Sequence, residues 1–157
     1  MEILNYTTTI DVRKTVGEIQ SMLAKAGAKS IILDYDNGRI EGIRFLIATN
    51  VGDRGFTLPA DASKVRDVLV RQCRAGKVAP RFTSPEQAER VAWRIMRDWL
   101  AAQLAMIETQ MVTFPQIMLP YMIVEGGISL FEVMTQNRLA LPAPCGKDRR
   151  WIQEVEP

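Results

Sequence analysis

The chain has 157 residues and a mass of 17.7 kDa, 47% of it apolar, with 20 Lys and Arg against 18 Asp and Glu. That is the length of one domain with enough apolar side chains for a core, which excludes a disordered or collagen-like protein. A net charge of +2 excludes a globally basic coat, and the absence of His removes Ser-His-Asp and Cys-His catalysis together with His-ligated zinc or iron.

Cys73 and Cys145 complete no thiolate site and are expected to remain free, reduced thiols. Met1 to Thr9 lack a basic region followed by an apolar one, so no signal peptide is expected. The most apolar stretch, Trp93 to Met111, is broken by Arg94, Arg97, Asp98, Gln103, Glu108 and Gln110. A spanning helix needs about 18 uninterrupted apolar residues, so the expectation is a soluble, cytoplasmic protein.

In chain order, Asp11 is placed to cap a helix from Val12 to about Ala26. Val12, Val16, Ile19 and Leu23 form its apolar face and Gly27 supplies its stop. Lys29 to Tyr35 reads as a strand, Asp36-Asn37-Gly38 as a hairpin turn, and Arg39 to Thr49 as the returning strand with Ile43, Phe45 and Ile47 on one side. Asn50 to Gly55 carries two glycines and an Asp, which predicts a turn, with a short third strand over Phe56 to Leu58. Asp61 caps a helix to Arg74, whose apolar stripe is Val65, Val68 and Leu69. Ala75 to Thr83, with Gly76 and Pro80, reads as a linker.

Ser84, Pro85, Glu86 and Gln87 together make the clearest helix start in the chain. The helix they open is expected to run to about Gln110, or ~39 Å, against a radius of gyration of ~15 Å for a globule of this length. It carries two apolar stripes, one through Ala88, Ala92, Ile95, Trp99, Ala102 and Met106, the other through Trp93, Met96, Leu100, Leu104, Ile107 and Met111. A helix apolar on two sides needs two partners. The sheet can supply one; the C-terminal segments or a second copy of the chain can supply the other. A homodimer through Leu100, Leu104, Ile107 and Met111 is therefore expected, the alternative being that Phe114 to Met134 folds back and buries that stripe within the chain. Thr113-Phe114-Pro115 opens a short helix that Pro120 stops, and Ser129 with Glu132 caps another to about Asn137. Residues 1–138 then form one α+β domain: a small antiparallel sheet on the first two helices and the long one, with a single continuous core. A flexible, Pro-rich tail is expected at 139–157.

The residues assign no catalytic group, no metal ligand and no cofactor. Asp34, Asp36 and Glu41 could pass for a metal-dependent nuclease cluster, but turn chemistry at Asp36 and strand-end solubility explain them. Gly126-Gly127 reads as a turn, since no phosphate-binding glycine motif surrounds it. Charge distribution says more. Residues 61–81 hold Lys64, Arg66, Arg71, Arg74, Lys77 and Arg81 against only Asp61 and Asp67. Arg90, Arg94 and Arg97 follow at helical spacing beside Trp93, so the two helices together could offer phosphate-binding guanidinium groups around an indole plane. The plainer reading is solvated helix faces, with Glu86 paired to Arg90, Arg94 paired to Asp98, and Trp93 in the core.

The runs Asn5-Tyr6-Thr7-Thr8-Thr9-Ile10-Asp11, Val16-Gly17-Glu18-Ile19-Gln20, Ala24-Lys25-Ala26-Gly27-Ala28, Leu58-Pro59-Ala60, Gln87-Ala88-Glu89-Arg90-Val91-Ala92-Trp93-Arg94-Ile95 and Leu119-Pro120-Tyr121-Met122 carry a resemblance. Over about residues 5–135 the chain resembles a family of small proteins encoded by phages and prophages. The resemblance implies a small cytoplasmic accessory protein working in DNA metabolism, in counter-defence by protein contact, or in capture of nucleotide signals, and it carries over no site residues. The order helix, three strands, helix also resembles the double-stranded-RNA-binding domain in topology alone, since that family's Lys-rich second-helix start and His-containing loop are both missing here.

The expected function is thus non-enzymatic binding of nucleic acid or a nucleotide-type ligand through Arg66, Arg71, Arg74, Arg81, Arg90, Trp93, Arg94 and Arg97. The alternative is a module that binds and blocks a host or phage protein through the apolar excess of Trp93 to Met134, including the Met-rich run Met111, Met118, Met122 and Met134.

Overall fold

Caps and turns written in the sequence fix where the elements begin. The computed structural model describes residues 1–50 and 52–136; the expected tail at 139–157, with Cys145, lies outside the described residues. Five helices and three strands follow in the order α1 (Val12–Lys25), β1 (Ala28–Asp36), β2 (Arg39–Thr49), β3 (Gly52–Thr57), α2 (Ala62–Arg74), α3 (Pro85–Glu108), α4 (Phe114–Met118) and α5 (Leu130–Gln136). The architecture is α+β. Asp11 accepts from the Arg13 amide at 2.8 Å, Asp61 from the Ser63 and Lys64 amides at 3.0 and 3.1 Å, and Ser84 from the Gln87 amide at 3.1 Å. Ser129 and Glu132 close a reciprocal box, with the Ser129 amide donating to Glu132 at 2.7 Å and the Glu132 amide to the Ser129 hydroxyl at 3.3 Å.

The sheet is an antiparallel meander in the order β1-β2-β3. Asn37 and Gly38 both take positive φ, 46° and 77°, as a two-residue hairpin loop between Asp36 and Arg39 requires. β3 begins at Gly52, earlier than the Phe56 expected, and its first residues pair with Thr49, Ala48 and Ile47. Asn50 is a turn residue and Gly52 takes φ 97° at the start of β3, as the expected turn requires, whereas Gly55 lies within the strand. At the edge β3 turns away from β2, Phe56 bridges Met122, and the Ile123 amide donates to the Gly55 carbonyl at 2.8 Å. The chain thus covers one edge of its own sheet.

Ile43, Phe45, Ile47 and Phe56 point to one face of the sheet and meet Ile19 and Leu23 of α1 and Trp93, Met96 and Leu100 of α3 in the main core cluster. Phe45 stacks on Phe56 at 5.6 Å, and Phe114 stands edge-on to both, at 6.1 and 5.3 Å. Two expectations need correction. The core is not continuous: Leu69, Val78 and Ala88 form a second cluster with Ile3, Tyr6, Val65 and Phe82 around them. α2 accordingly packs on α3 and the N-terminal arm, while the sheet packs on α1 and α3. The long helix has more partners than the two expected: besides the sheet and α4, both α1 and α2 pack on it, α2 together with residues 3–6, which carry no periodic signal. Glutamines pin that arm: Gln87 donates to the Tyr6 and Thr8 carbonyls at 2.8 and 2.9 Å, and Gln72 accepts from the Ile3 amide at 3.1 Å. No helix among the described residues is long and apolar enough to cross a membrane.

The α2 cap yields a stability prediction. Hydrogen bonds from Ser63 and Lys64 to the Asp61 carboxylate lower its pKa from the ordinary 3.8 to about 2. A carboxyl depressed by folding stabilises fully above its unfolded pKa and loses that contribution as pH falls through the folded value. Asp61→Ala is therefore expected to cost about 1 kcal/mol at neutral pH. The gap to the wild-type chain closes as pH falls from 3.8 to about 2, read by urea titration at each pH.

Candidate anion-binding surface

α2 is amphipathic because Val65 and Leu69 turn toward the second cluster, which leaves the opposite arc to charged residues. Lys64, Arg66, Arg71 and Arg74 are all exposed on that arc, with Asp67 and Val70 among them. Arg66, Asp67, Val70, Arg71 and Arg74 line a shallow concavity of about 450 Å³. Lys64 pairs with Asp61 at 3.3 Å within the cap. Arg66 donates weakly to the Thr83 carbonyl at 3.4 Å, while Arg71 and Arg74 make no ion pair among the described residues. Both sit in the last turn of α2, where cations also suit the negative end of the helix dipole. Lys77 follows in the exposed turn, and the Arg81 guanidinium lies 4.8 Å over the Phe82 ring, which Tyr6 meets edge-on at 5.4 Å.

The arginines of α3 do not join this face. Arg94 donates to Glu18 of α1 at 2.8 Å, and Arg97 donates to the same carboxylate at 3.0 Å and to Asp98 at 3.2 Å. Their side chains are 18% and 33% exposed. Arg90 is half-buried and donates to Gln87 at 3.2 Å. The strip at steps of four and three exists, but it faces α1 and helps hold two helices together. The local pairs expected along α3 are replaced by distant ones, since Glu86 reaches Arg39 at 3.4 Å. Trp93 is 2% exposed and belongs to the main cluster, so it offers no plane for stacking on the surface.

The contact expected between copies also changes. Leu100 is fully buried, and Leu104 packs on the same cluster as Phe114, Ile117 and Met118, so α4 folds back over this half of α3. Ile107 is half-buried, and only Met111, at 71%, is freely exposed. The Met-rich run fares alike: Met118 is in the core, and Met122 and Met134 are half-buried. Asp34, from the acidic trio, is bound by Arg44 through two hydrogen bonds. Among the described residues, no group of three or more Cys, Asp or Glu is placed to hold a metal ion. Cys73 is half-buried and free.

Sequence reasoning missed Glu18, which sits 76 residues from Arg94 and gives no local signal of its role. Comparisons with protein families, curated proteins and solved structures find no match to the chain.

Proposed function

We propose that the protein is a non-enzymatic binder of nucleic acid that uses the outer face of α2. The observation that carries this reading is the exposed trio Arg66, Arg71 and Arg74 around one shallow concavity, without an ionic partner among the described residues. Guanidinium groups left free of carboxylates suit phosphate oxygens, and a row along one helix suits an extended polyanion. Arg81 and Lys77 extend the positive field beyond the end of α2. The phage accessory role implied by the resemblance gives such binding a setting in DNA metabolism or counter-defence.

Titration of labelled single-stranded DNA, duplex DNA, RNA and cyclic nucleotides at two salt concentrations tests it. Three phosphate contacts to a single strand predict a salt slope near −2, or about a twentyfold loss of affinity from about 50 to about 200 mM salt. The triple variant R66A/R71A/R74A is expected to flatten that slope by about two, with its melting transition retained. R94A/R97A is expected to lower stability and leave binding unchanged, because these side chains are spent on Glu18 and Asp98. No binding to any probe at low salt would overturn the reading. Capture of a protein partner is the second reading, and it draws on β1, whose outer edge has no strand beside it among the described residues and exposes Ile32 and Tyr35.

A further inference from the structure

A cleft of about 540 Å³ opens at the start of α2, and its volume lies within the ~300–1,000 Å³ typical of small-molecule sites. Three elements wall it. β2 contributes Arg39, Ile40 and Glu41, α2 and the residues before it contribute Asp61 and Arg66, and α3 contributes Glu89, Ala92 and Trp93. Ile40, Ala92 and Trp93 line its bottom and are themselves buried, so they close it with apolar side chains. The rim is charged, and its groups differ in how far they are already used. Asp61 is spent on the α2 cap, and Arg39 is tied to Glu86 at 3.4 Å. Glu41 and Glu89 make no hydrogen bond or ion pair among the described residues, and Arg66 has only its long bond to Thr83.

Arg66 also lines the concavity on the outer face of α2, so cleft and basic face share one guanidinium. That sharing fixes the ligand chemistry. Two unspent carboxylates repel a phosphodiester and accept hydrogen bonds, so a phosphate stays at Arg66 while a group with an apolar body and N–H donors suits the cleft. A cationic amine would satisfy the carboxylates but meet Arg39 and Arg66. A neutral base with an exocyclic amino group, joined to a phosphate, satisfies every group at once. We infer that the cleft formed by Glu41, Glu89 and the Trp93 floor takes one unstacked, amino-bearing nucleobase of a single strand whose phosphates run from Arg66 along α2. The inference rests on the nucleic-acid reading above. Pockets that read an extruded base do so through its Watson–Crick edge against an apolar floor, and carboxylates accept from the cytosine amino group.

The test compares ten-residue oligo-dC and oligo-dT binding to the full chain at low salt. Cytosine presents an amino donor where thymine presents a carbonyl acceptor, so oligo-dC is expected to bind about tenfold more tightly. E41Q/E89Q should bring the two oligonucleotides to near parity without weakening oligo-dT. R71A/R74A should weaken both by the same factor, leaving the preference intact. If the double Gln variant fails to melt cooperatively, Glu41→Gln alone, at an exposed strand position, carries the same comparison. Equal affinity of the wild-type chain for both, or a preference that survives the Gln substitutions, would overturn the base site and leave binding along α2 standing. Binding of neither oligonucleotide would remove the nucleic-acid reading itself.

Discussion

Replacing Trp93 by Ala is expected to cost about 3–5 kcal/mol, several times the loss from removing a helix cap. The indole is 2% exposed and lies in the cluster that joins α3 to the sheet and α1, so removing it leaves a cavity bounded by three elements that cannot close together. A domain of this kind has about 5–15 kcal/mol in all, so the variant is expected to sit at the margin of folding. Urea denaturation reads the effect as a lower midpoint with an unchanged slope, because the surface exposed on unfolding is nearly the same. Trp93→Phe keeps the ring and most of the volume and is expected to lose much less. A loss below about 1 kcal/mol for Trp93→Ala would place the indole at the surface, where a stacking role would again be open.

What was legible in the sequence was local. Asp11, Asp61, Ser84 and Ser129 each satisfy amides within three residues, and the Asn37-Gly38 loop needs only the conformations those two residues favour. Periodicity likewise found the stripe from Trp93 to Leu104, but of the other stripe Ala88 meets the second cluster, Trp99 packs on the main one, and Ala102 and Met106 are exposed. It did not say what each stripe would meet. A strip of arginines at steps of four and three looks the same whether it faces water or the carboxylate of another helix, and only the packing of α1 on α3 decides between them. Trp93 carried two incompatible assignments, to a stripe and to a ligand surface, and burial of its large apolar area won. The N-terminal arm was invisible for another reason. Ile3 and Tyr6 sit outside any regular element, and their partners Leu69 and Val78 are more than sixty residues away. The basic arc of α2 was legible because its arginines face away from the one apolar stripe that could bury them.

Glu18→Gln is the second large effect, and it turns on charge. The Glu18 carboxylate is 30% exposed and receives Arg94 at 2.8 Å and Arg97 at 3.0 Å, so one acid holds two guanidinium groups at the contact of α1 with α3. Burial pushes the Glu18 carboxyl up, but hydrogen bonds and charge from the two arginines outweigh it and hold the group below its ordinary 4.5. With the folded pKa below the unfolded one, the stabilisation is fully present above 4.5 and is lost as pH falls through the folded value. Exposed pairs contribute ~0–1 kcal/mol, and breaking a buried pair by removing one partner costs ~3–5, so this partly shielded triad is expected to cost about 1–3 kcal/mol when its charge is removed. Glutamine keeps an acceptor oxygen and the side-chain volume, so the difference between wild type and variant isolates the charge. That difference should be largest near neutral pH and shrink toward acid, since the wild-type carboxylate protonates and the amide does not. A gap that stayed constant from neutral pH down to about pH 3 would mean that the arginines gain nothing from the Glu18 charge and that α1 is held to α3 by the apolar contacts of Val16, Ile19 and Leu23 alone.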